Sequence, residues 1–491
     1  MLDTICQKTN DFISQMPKSL RKGYGQFFTS IETARFMASL FDIPPKKEIS
    51  ILDAGAGSGI LSVALVEKIF KDKSDVRIVL TCYENDPNVL PLLKQNLCLV
   101  KEKFPKLNFE ICEDNYITSQ KDSFHEDLFA VKSKKYDLVV GNPPYKKISK
   151  DAPEAVAIPE VCHGAPNLYF LFAAMGIFNL ADGGEMVYIT PRSWTSGAYF
   201  EKFREYLVKK SSIEHIHLFD SRTDVFDKES VLQETMIFKL KKQHNHRDKV
   251  VVSTTTGNCD FSGIVTFKAP YNIVVSPKTR YVYLPSNEEN LKVLKKIGTF
   301  SDTLPSLGMR MKTGLVVDFR ERDLLSSEKI ECSVPLFYSR HIKDGKVSFP
   351  VGIENEYVLT EKQSLLQKNK NYLFVKRFSS KEEKRRLQSG IYLKRKFPDY
   401  AYISTQNKIN FIDGEKELSE CTVYGLYVLF NSSLYDEYYR ILNGSTQVNS
   451  TEINSMPVPN LNVIQSMGRK LMKIKTFTEE ACNAILNEAC A

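Results

Sequence analysis

Ile49-Ser-Ile-Leu-Asp-Ala-Gly-Ala-Gly-Ser-Gly-Ile60 is the stretch whose reading decides the fold. An apolar run of strand length enters Asp53, glycines alternate at 55, 57 and 59, and Leu61-Ser-Val-Ala-Leu-Val66 opens a helix. Alternating glycines let the backbone turn sharply and approach a ligand closely. The dinucleotide fingerprint G-x-G-x-x-G is not met, because the third glycine comes one residue early and Ile60 stands beside it. That departure speaks against a pyrophosphate ligand. A second strand, Val76-Arg-Ile-Val-Leu-Thr-Cys-Tyr83, ends in Glu84, 31 residues past Asp53. An acid there can accept from both ribose hydroxyls of a nucleoside.

Working outward, a helix is predicted over about 89–103, then a strand Asn108–Cys112 that ends at Asp114. The strand Tyr136-Asp-Leu-Val-Val-Gly141 follows and surfaces at Asn142. Strand–helix alternation predicts an α/β class and a doubly wound parallel sheet. Ligands of such sheets bind beyond the carboxyl ends of the strands, and Asp53, Glu84, Asp114 and Asn142 all fall at that edge.

Asn142-Pro143-Pro144-Tyr145 is the second informative stretch. Two prolines supply no N–H and fix φ, so the turn is stiff and its carbonyls only accept. Beside an Asn amide oxygen, such a turn suits gripping an –NH2 group by both hydrogens. Tyr145 adds a flat ring for a planar heterocycle. The plainer reading is a structural Pro-Pro turn after a strand.

Upstream, residues 1–24 predict a short helical lead-in, and Thr29 or Ser30 can cap a helix carrying Ala34, Met37, Ala38 and Phe41. Downstream, Lys146–Pro166 reads as a lid loop and Asn167–Phe178 as a core helix stopped near Gly183. Glu185–Pro191 is a strand, Trp194 a packed ring, and Ile213–Phe219 with Glu234–Leu240 would complete the sheet. The polar connector Lys241–Asp248 marks a composition break. It divides a catalytic domain, 1–245, from a less regular α+β region, 246–491.

The 491 residues, 42% hydrophobic and 26% charged, are those of an ordinary globular chain with room for two or three domains. No apolar run reaches membrane-span length and the N-terminus has no secretory pattern, so a cytoplasmic chain is expected. The ten cysteines form no C-x-x-C pair, which points to reduced thiols and to no metal site. The net charge of +8 is unevenly placed: Lys376–Lys396 holds nine Lys or Arg against Glu382 and Glu383. The cations include Lys376, Arg377, Lys384, Arg385, Arg386, Lys394, Arg395 and Lys396, and the reading is a phosphate-binding stripe. The alternative is a solvated face with local ion pairs, for which nearby acids are too few.

Together these residues resemble the gamma-class adenine-specific DNA methyltransferases of restriction–modification systems. The resemblance implies a Rossmann-like S-adenosyl-L-methionine-dependent methyltransferase domain followed by a target-recognition domain. It implies that Phe28 and Thr29 meet the methionine part of the cofactor. Asp53, Ala54, Gly55 and Gly57 form its loop, Glu84 with Asn85 holds the ribose, and Asp114 meets the adenine. Asn142, Pro143, Pro144 and Tyr145 match the family's catalytic motif, with Phe226 as a second aromatic against the target base. Gly314–Arg320, Tyr372–Ser379 and Asn443–Glu452 resemble segments of target-recognition regions. Double-stranded DNA is the implied partner, with base flipping to expose the 6-amino group of adenine. A separately encoded nuclease of the same site is also implied, without a stable complex, and a monomer is expected. Cytosine-amino or RNA methylation, and a non-catalytic specificity protein, are the alternatives; the intact glycine loop argues against the last.

Overall fold

The computed structural model describes residues 1–15, 17, 29–127, 132–219, 235–243, 245–258, 260–379, 383–443 and 445–489. Its organising element is β1 (Glu48–Ala54), whose side chains from Ile51 onward are all buried. A strand covered on both faces must be apolar on both, which is why Ile51-Leu52 reads as a continuous run rather than an alternation. β1 pairs in parallel with β2 (Arg77–Tyr83) on one side and β4 (Tyr136–Gly141) on the other. β3 (Leu107–Cys112) extends beyond β2, and β5 (Leu180–Pro191) lies parallel beyond β4. β7 (Thr235–Lys241) then runs antiparallel between β5 and β6 (Ser212–Phe219). β8 (Lys249–Thr255) and β9 (Val265–Pro270) close the series, giving the order 3-2-1-4-5-7-6-8-9 among the described strands.

Two layers of helix cover this sheet. On one face Ile49, Ile51, Leu80 and Val140 share a core with helices Leu2–Gln15, Ile31–Ser39 and Ile60–Asp72. On the other, helix Leu168–Asn179 lays Gly176 against Met186, Tyr188 and Val139. Each fully buried aliphatic contributes about 1.5–3 kcal/mol to holding these layers together. The doubly wound α/β expectation is met.

Three expectations change. The first compact unit is Met1–Asn287, and the second Glu288–Ala491. The boundary expected at 245/246 thus falls inside the first sheet, because β8 pairs with β6 and β9 with β8 across the polar connector. The lid loop is packed instead: Pro153–Ala157 is a short helix, and Ala155, Ala157, Ile158 and Val161 are buried. The core helix stops at Asn179, since Leu180–Gly184 already belongs to β5. Trp194 is a packed ring, as read, with its Nε1 donating to Thr190 Oγ1 at 3.1 Å.

Among the described residues, one carboxylate cluster, Asp42, Glu185 and Glu214, has metal-like spacing. It already surrounds a cation, with Lys239 Nζ at 2.9, 3.0 and 3.6 Å from the three acids. No described helix is long and apolar enough to cross a membrane.

The second unit mixes short strands and helices, as the α+β reading expects. A sheet built on Met309–Thr313, Ile409–Gly414 and Tyr372–Lys376 stands beside a helix pair, Glu420–Asn431 and Leu461–Ile474. That pair touches backbone to backbone. A Cβ on Gly425 would lie 1.9 Å from the Ile464 carbonyl oxygen, and one on Gly468 1.8 Å from that of Cys421.

Candidate active site

The glycine bend is built where β1 surfaces. Gly55 and Ala56 both donate their N–H to the Tyr83 carbonyl, at 2.8 and 2.9 Å, so the loop folds back over the end of β2. Gly55, Gly57 and Gly59 have φ of 75°, 55° and 82°, in the left-handed region that side chains resist. Gly57 N–H donates to Glu84 Oε2 at 2.9 Å, and Asp86 N–H to Oε1 at 2.9 Å. One backbone bond per oxygen fixes the carboxylate while leaving acceptor capacity on both. Burial pushes the Glu84 carboxyl above its ordinary range, and these backbone donors pull against it.

Asp53 and Ala54 do not line the cleft described below. Asp53 is 1% exposed and accepts Ser62 Oγ at 2.6 Å, tying β1 to the helix that follows. The Ser62 bond lets Asp53 brace the loop from beneath. Burial pushes the Asp53 carboxyl up to about 7, against the Ser62 hydrogen bond. A carboxyl raised in the fold favours stability below its unfolded value, and that contribution is lost as pH rises through about 7. Asp53→Asn removes the charge. Its melting temperature relative to the parent should therefore rise between about pH 5 and about pH 8. A pH-independent difference would contradict this account.

The double-proline bend leaves β4, the strand beside β1. Asn142 Nδ2 donates to Thr29 Oγ1 at 3.2 Å, which orients the amide. Ser30, not Thr29, caps the helix, accepting from Thr33 N–H at 3.2 Å. Gly141 has no room for a side chain, since a Cβ would meet the Tyr188 ring at 2.9 Å. Tyr145 is half-buried, its hydroxyl donating to the Ile189 carbonyl at 3.4 Å and its ring edge-on to Tyr169 at 6.1 Å. Burial raises the Tyr145 phenol well above its ordinary value, so it is neutral at any working pH.

Both bends open onto one cleft, about 880 Å³ of space when its solvent-open mouth is included. Thr29, Gly55, Gly57, Glu84, Asn85 and Asp114 line it, joined by Asn142 and Pro144. Pro143 is buried behind the turn, and Tyr145 does not line the cleft. Phe28 and Phe226 lie outside the described residues. Sequence reasoning missed Phe172, Tyr116 and Asn115, which also line it. Phe172 sits 3.5 Å from where a Gly55 Cβ would be, with its ring 5.5 Å from Tyr116. Nothing in an all-apolar helix marks which ring faces a ligand. Asn115 had a signal, a turn residue next to Asp114, and it caps Tyr116–Ser119.

The structure departs from the basic stripe at Arg385 and Arg386. Arg386 is 0% exposed, with Nη2 donating to the Ser445 carbonyl at 2.6 Å and Nε to Ser379 Oγ at 3.2 Å. Arg385 pairs with Glu479 at 3.3 Å and donates to the Phe430 carbonyl at 3.1 Å. Arg395 pairs with Glu420 at 2.5 Å and Lys394 with Glu417 at 3.7 Å. Arg377 donates to the Asn407 carbonyl at 3.0 Å. Lys384 and Lys396 are exposed and Lys376 half-buried. The acids that pair with Arg385, Lys394 and Arg395 lie outside the stripe, Glu420 and Glu479 on helices and Glu417 in a loop, so a local charge count could not see them. Arg386→Ala should accordingly lower stability by about 2–3 kcal/mol in a urea melt, the cost of stripping charged hydrogen bonds from a buried site. Unchanged stability with weaker polyanion binding would restore the stripe.

The fold and the two-bend cleft define a Rossmann-like methyltransferase domain. A family model described as "Eco57I restriction-modification methylase" matches residues 61–226. The chain is 35% identical over 458 residues to the type II methyltransferase M.BsuBI of Bacillus subtilis, covering 91% of this chain and 89% of that one. It is 33% identical over 503 residues to the type II methyltransferase M.PstI of Providencia stuartii, covering 100% and 96%. The nuclease-deleted type ISP restriction–modification enzyme LlaGI shares the fold at TM-score 0.51 and 12% identity, over 91% of this chain and 55% of that one. The chain belongs to the restriction–modification methyltransferase family and is a methyltransferase.

Proposed function

We propose that this chain methylates the exocyclic 6-amino group of adenine at a specific site in duplex DNA, with S-adenosyl-L-methionine as methyl donor. One observation carries the reading: Gly55 and Gly57 from the glycine bend, Glu84 from the end of β2, and Asn142 and Pro144 from the double-proline bend line a single cleft. The residues fit the donor. A glycine cradle without side chains, a clamped carboxylate and the Phe172 ring answer to an amino-acid tail, a ribose and a purine respectively. Glu84 would hold the ribose, Asp114 and Phe172 the adenine, and Thr29 the methionine end. When bound, the donor supplies an electrophilic methyl on a sulfonium.

The chain's own residues act on the amine. Asn142 Oδ1 and the Pro143 carbonyl accept its two hydrogens, which draws the nitrogen lone pair out of conjugation with the ring. The turn's rigidity holds those acceptors in place before reaction, so little reorganisation is needed as positive charge develops. The target base must leave the stack to arrive there, and the Tyr145 ring would stack on it, with Phe226 as the second aromatic the resemblance implies. The second unit would supply target recognition. Monomeric action in the cytoplasm, alongside a separately encoded nuclease of the same site, completes the reading.

The test is transfer of labelled methyl groups to duplex DNA, followed by nucleoside analysis. N6-methyladenine is expected. N4-methylcytosine would replace the base assignment, and label found only in RNA or protein would overturn the reading.

A further inference from the structure

With Arg386 buried and Arg385, Lys394 and Arg395 facing acids, the polyanion surface of the second unit is sought among the cations left without such partners. Three segments that the sequence singled out meet at one end of its sheet. Gly314 N–H donates to the Ile409 carbonyl at 2.8 Å, Asn407 N–H to that of Val316 at 2.8 Å, and Arg377 N–H to that of Lys408 at 2.9 Å. Val448 N–H closes the set on the Arg377 carbonyl at 2.7 Å. The approach is so close that a Cβ on Gly314 would stand 2.2 Å from the Gln406 carbonyl oxygen. Residues 314–320, 377–379, 405–408 and 445–448 therefore form one backbone-locked platform rather than independent loops.

The platform presents two large rings to solvent, Phe319 at 63% exposed and Phe378 at 44%. Each has a guanidinium beside it: Arg320 Cζ lies 5.5 Å from the Phe319 centroid, and Arg377 Cζ 5.7 Å from that of Phe378. Arg377 is braced by Asn407 and Gln447. Arg320 and Lys408 are exposed, and neither has an ion-pair partner among the described residues. Of the nearby acids, Glu321 already faces a lysine, while Asp318 is held by neutral donors and leaves the platform with a cation excess of two over Arg320, Arg377 and Lys408. Asp318 accepts Gln406 Nε2 at 3.2 Å and Phe319 N–H at 3.1 Å, and Glu321 faces Lys362 at 3.5 Å.

Exposed rings flanked by uncompensated cations on a rigid base match a ligand with alternating flat apolar and anionic parts. From this we infer that the platform is the surface through which the second unit grips duplex DNA. Arg320 and Lys408 meet phosphates, and Phe319 and Phe378 meet sugar and base edges. The inference rests on the DNA reading above and adds where on this chain the duplex is held.

Fluorescence anisotropy of the full chain with a labelled duplex, across a salt series, tests it. Arg320→Gln/Lys408→Gln should lower the slope of log K against log salt by about 1.8, roughly 0.9 per lost phosphate contact. Phe319→Ala/Phe378→Ala should weaken binding by about tenfold or more with the slope unchanged. All four side chains are exposed, so the thermal midpoint should stay at the parent value. If the parent binds and methylates duplex DNA while both variants behave like it, the platform fails and the DNA reading stands. If the parent binds and methylates RNA instead of duplex DNA, both fall.

Discussion

Asn142→Ala should leave the donor cleft able to fill while cutting methyl transfer by about two to three orders of magnitude or more, the range seen when a pre-aligned catalytic hydrogen-bond partner is removed. The asymmetry comes from what the side chain does. Its Nδ2 holds Thr29 at 3.2 Å, and losing one such bond costs about 1 kcal/mol, less than a tenfold change in donor affinity. Its Oδ1 has no substitute as an acceptor for the amine, because the Pro143 carbonyl is already committed to the other hydrogen and an alanine methyl accepts none. Calorimetric titration of the donor and a single-turnover transfer assay separate the two effects. Transfer at the parent rate would remove Asn142 from the mechanism. A collapse in donor binding equal to the loss of rate would make it a cofactor residue instead.

The largest effect on folding is expected at the Gly425–Gly468 crossing. Gly468→Val places its Cβ 1.8 Å from a backbone carbonyl, which cannot swing aside as a side-chain tip could. Helices Glu420–Asn431 and Leu461–Ile474 must separate, and with them the buried seam of Leu426, Leu429, Ile464 and Leu471. A cost above about 4 kcal/mol follows from overpacking at a fixed backbone contact. Gly298→Ala is the control: a Cβ there meets nothing within 4 Å, so a change within about 1 kcal/mol is expected. Equal urea midpoints for the two variants would show that the helices do not meet as described.

Much of the first unit was legible because its signals are local. A buried strand running into alternating glycines, an acid at the next strand end and a double proline at another each name one position. The sheet topology then gathers them: Gly57 to Glu84 is a single hydrogen bond of 2.9 Å. What was not legible depends on distant partners. β8 is too polar at its entry, Lys249, to announce that it pairs with β6. Arg385 and Arg386 look like free cations until Asp436 and Glu479 fold against that segment, accepting from the Arg386 backbone N–H and pairing with the Arg385 guanidinium. Phe172 differs from its apolar neighbours only in facing a space rather than a side chain. Asp53 shows a further use of a strand-end acid, anchoring the next helix through Ser62.

β1 and β4 are neighbours in the ladder, with Asp53 opposite Val140. Adjacent strands run about 4.8 Å apart, so the two halves of the proposed reaction are mounted on rails whose gauge the amide ladder sets. On the proposed mechanism, no hinge has to swing between those two strands to bring donor and acceptor into line. Changes in the helices that clad those rails should therefore alter how long the enzyme survives on heating, while leaving the speed of an intact molecule nearly constant.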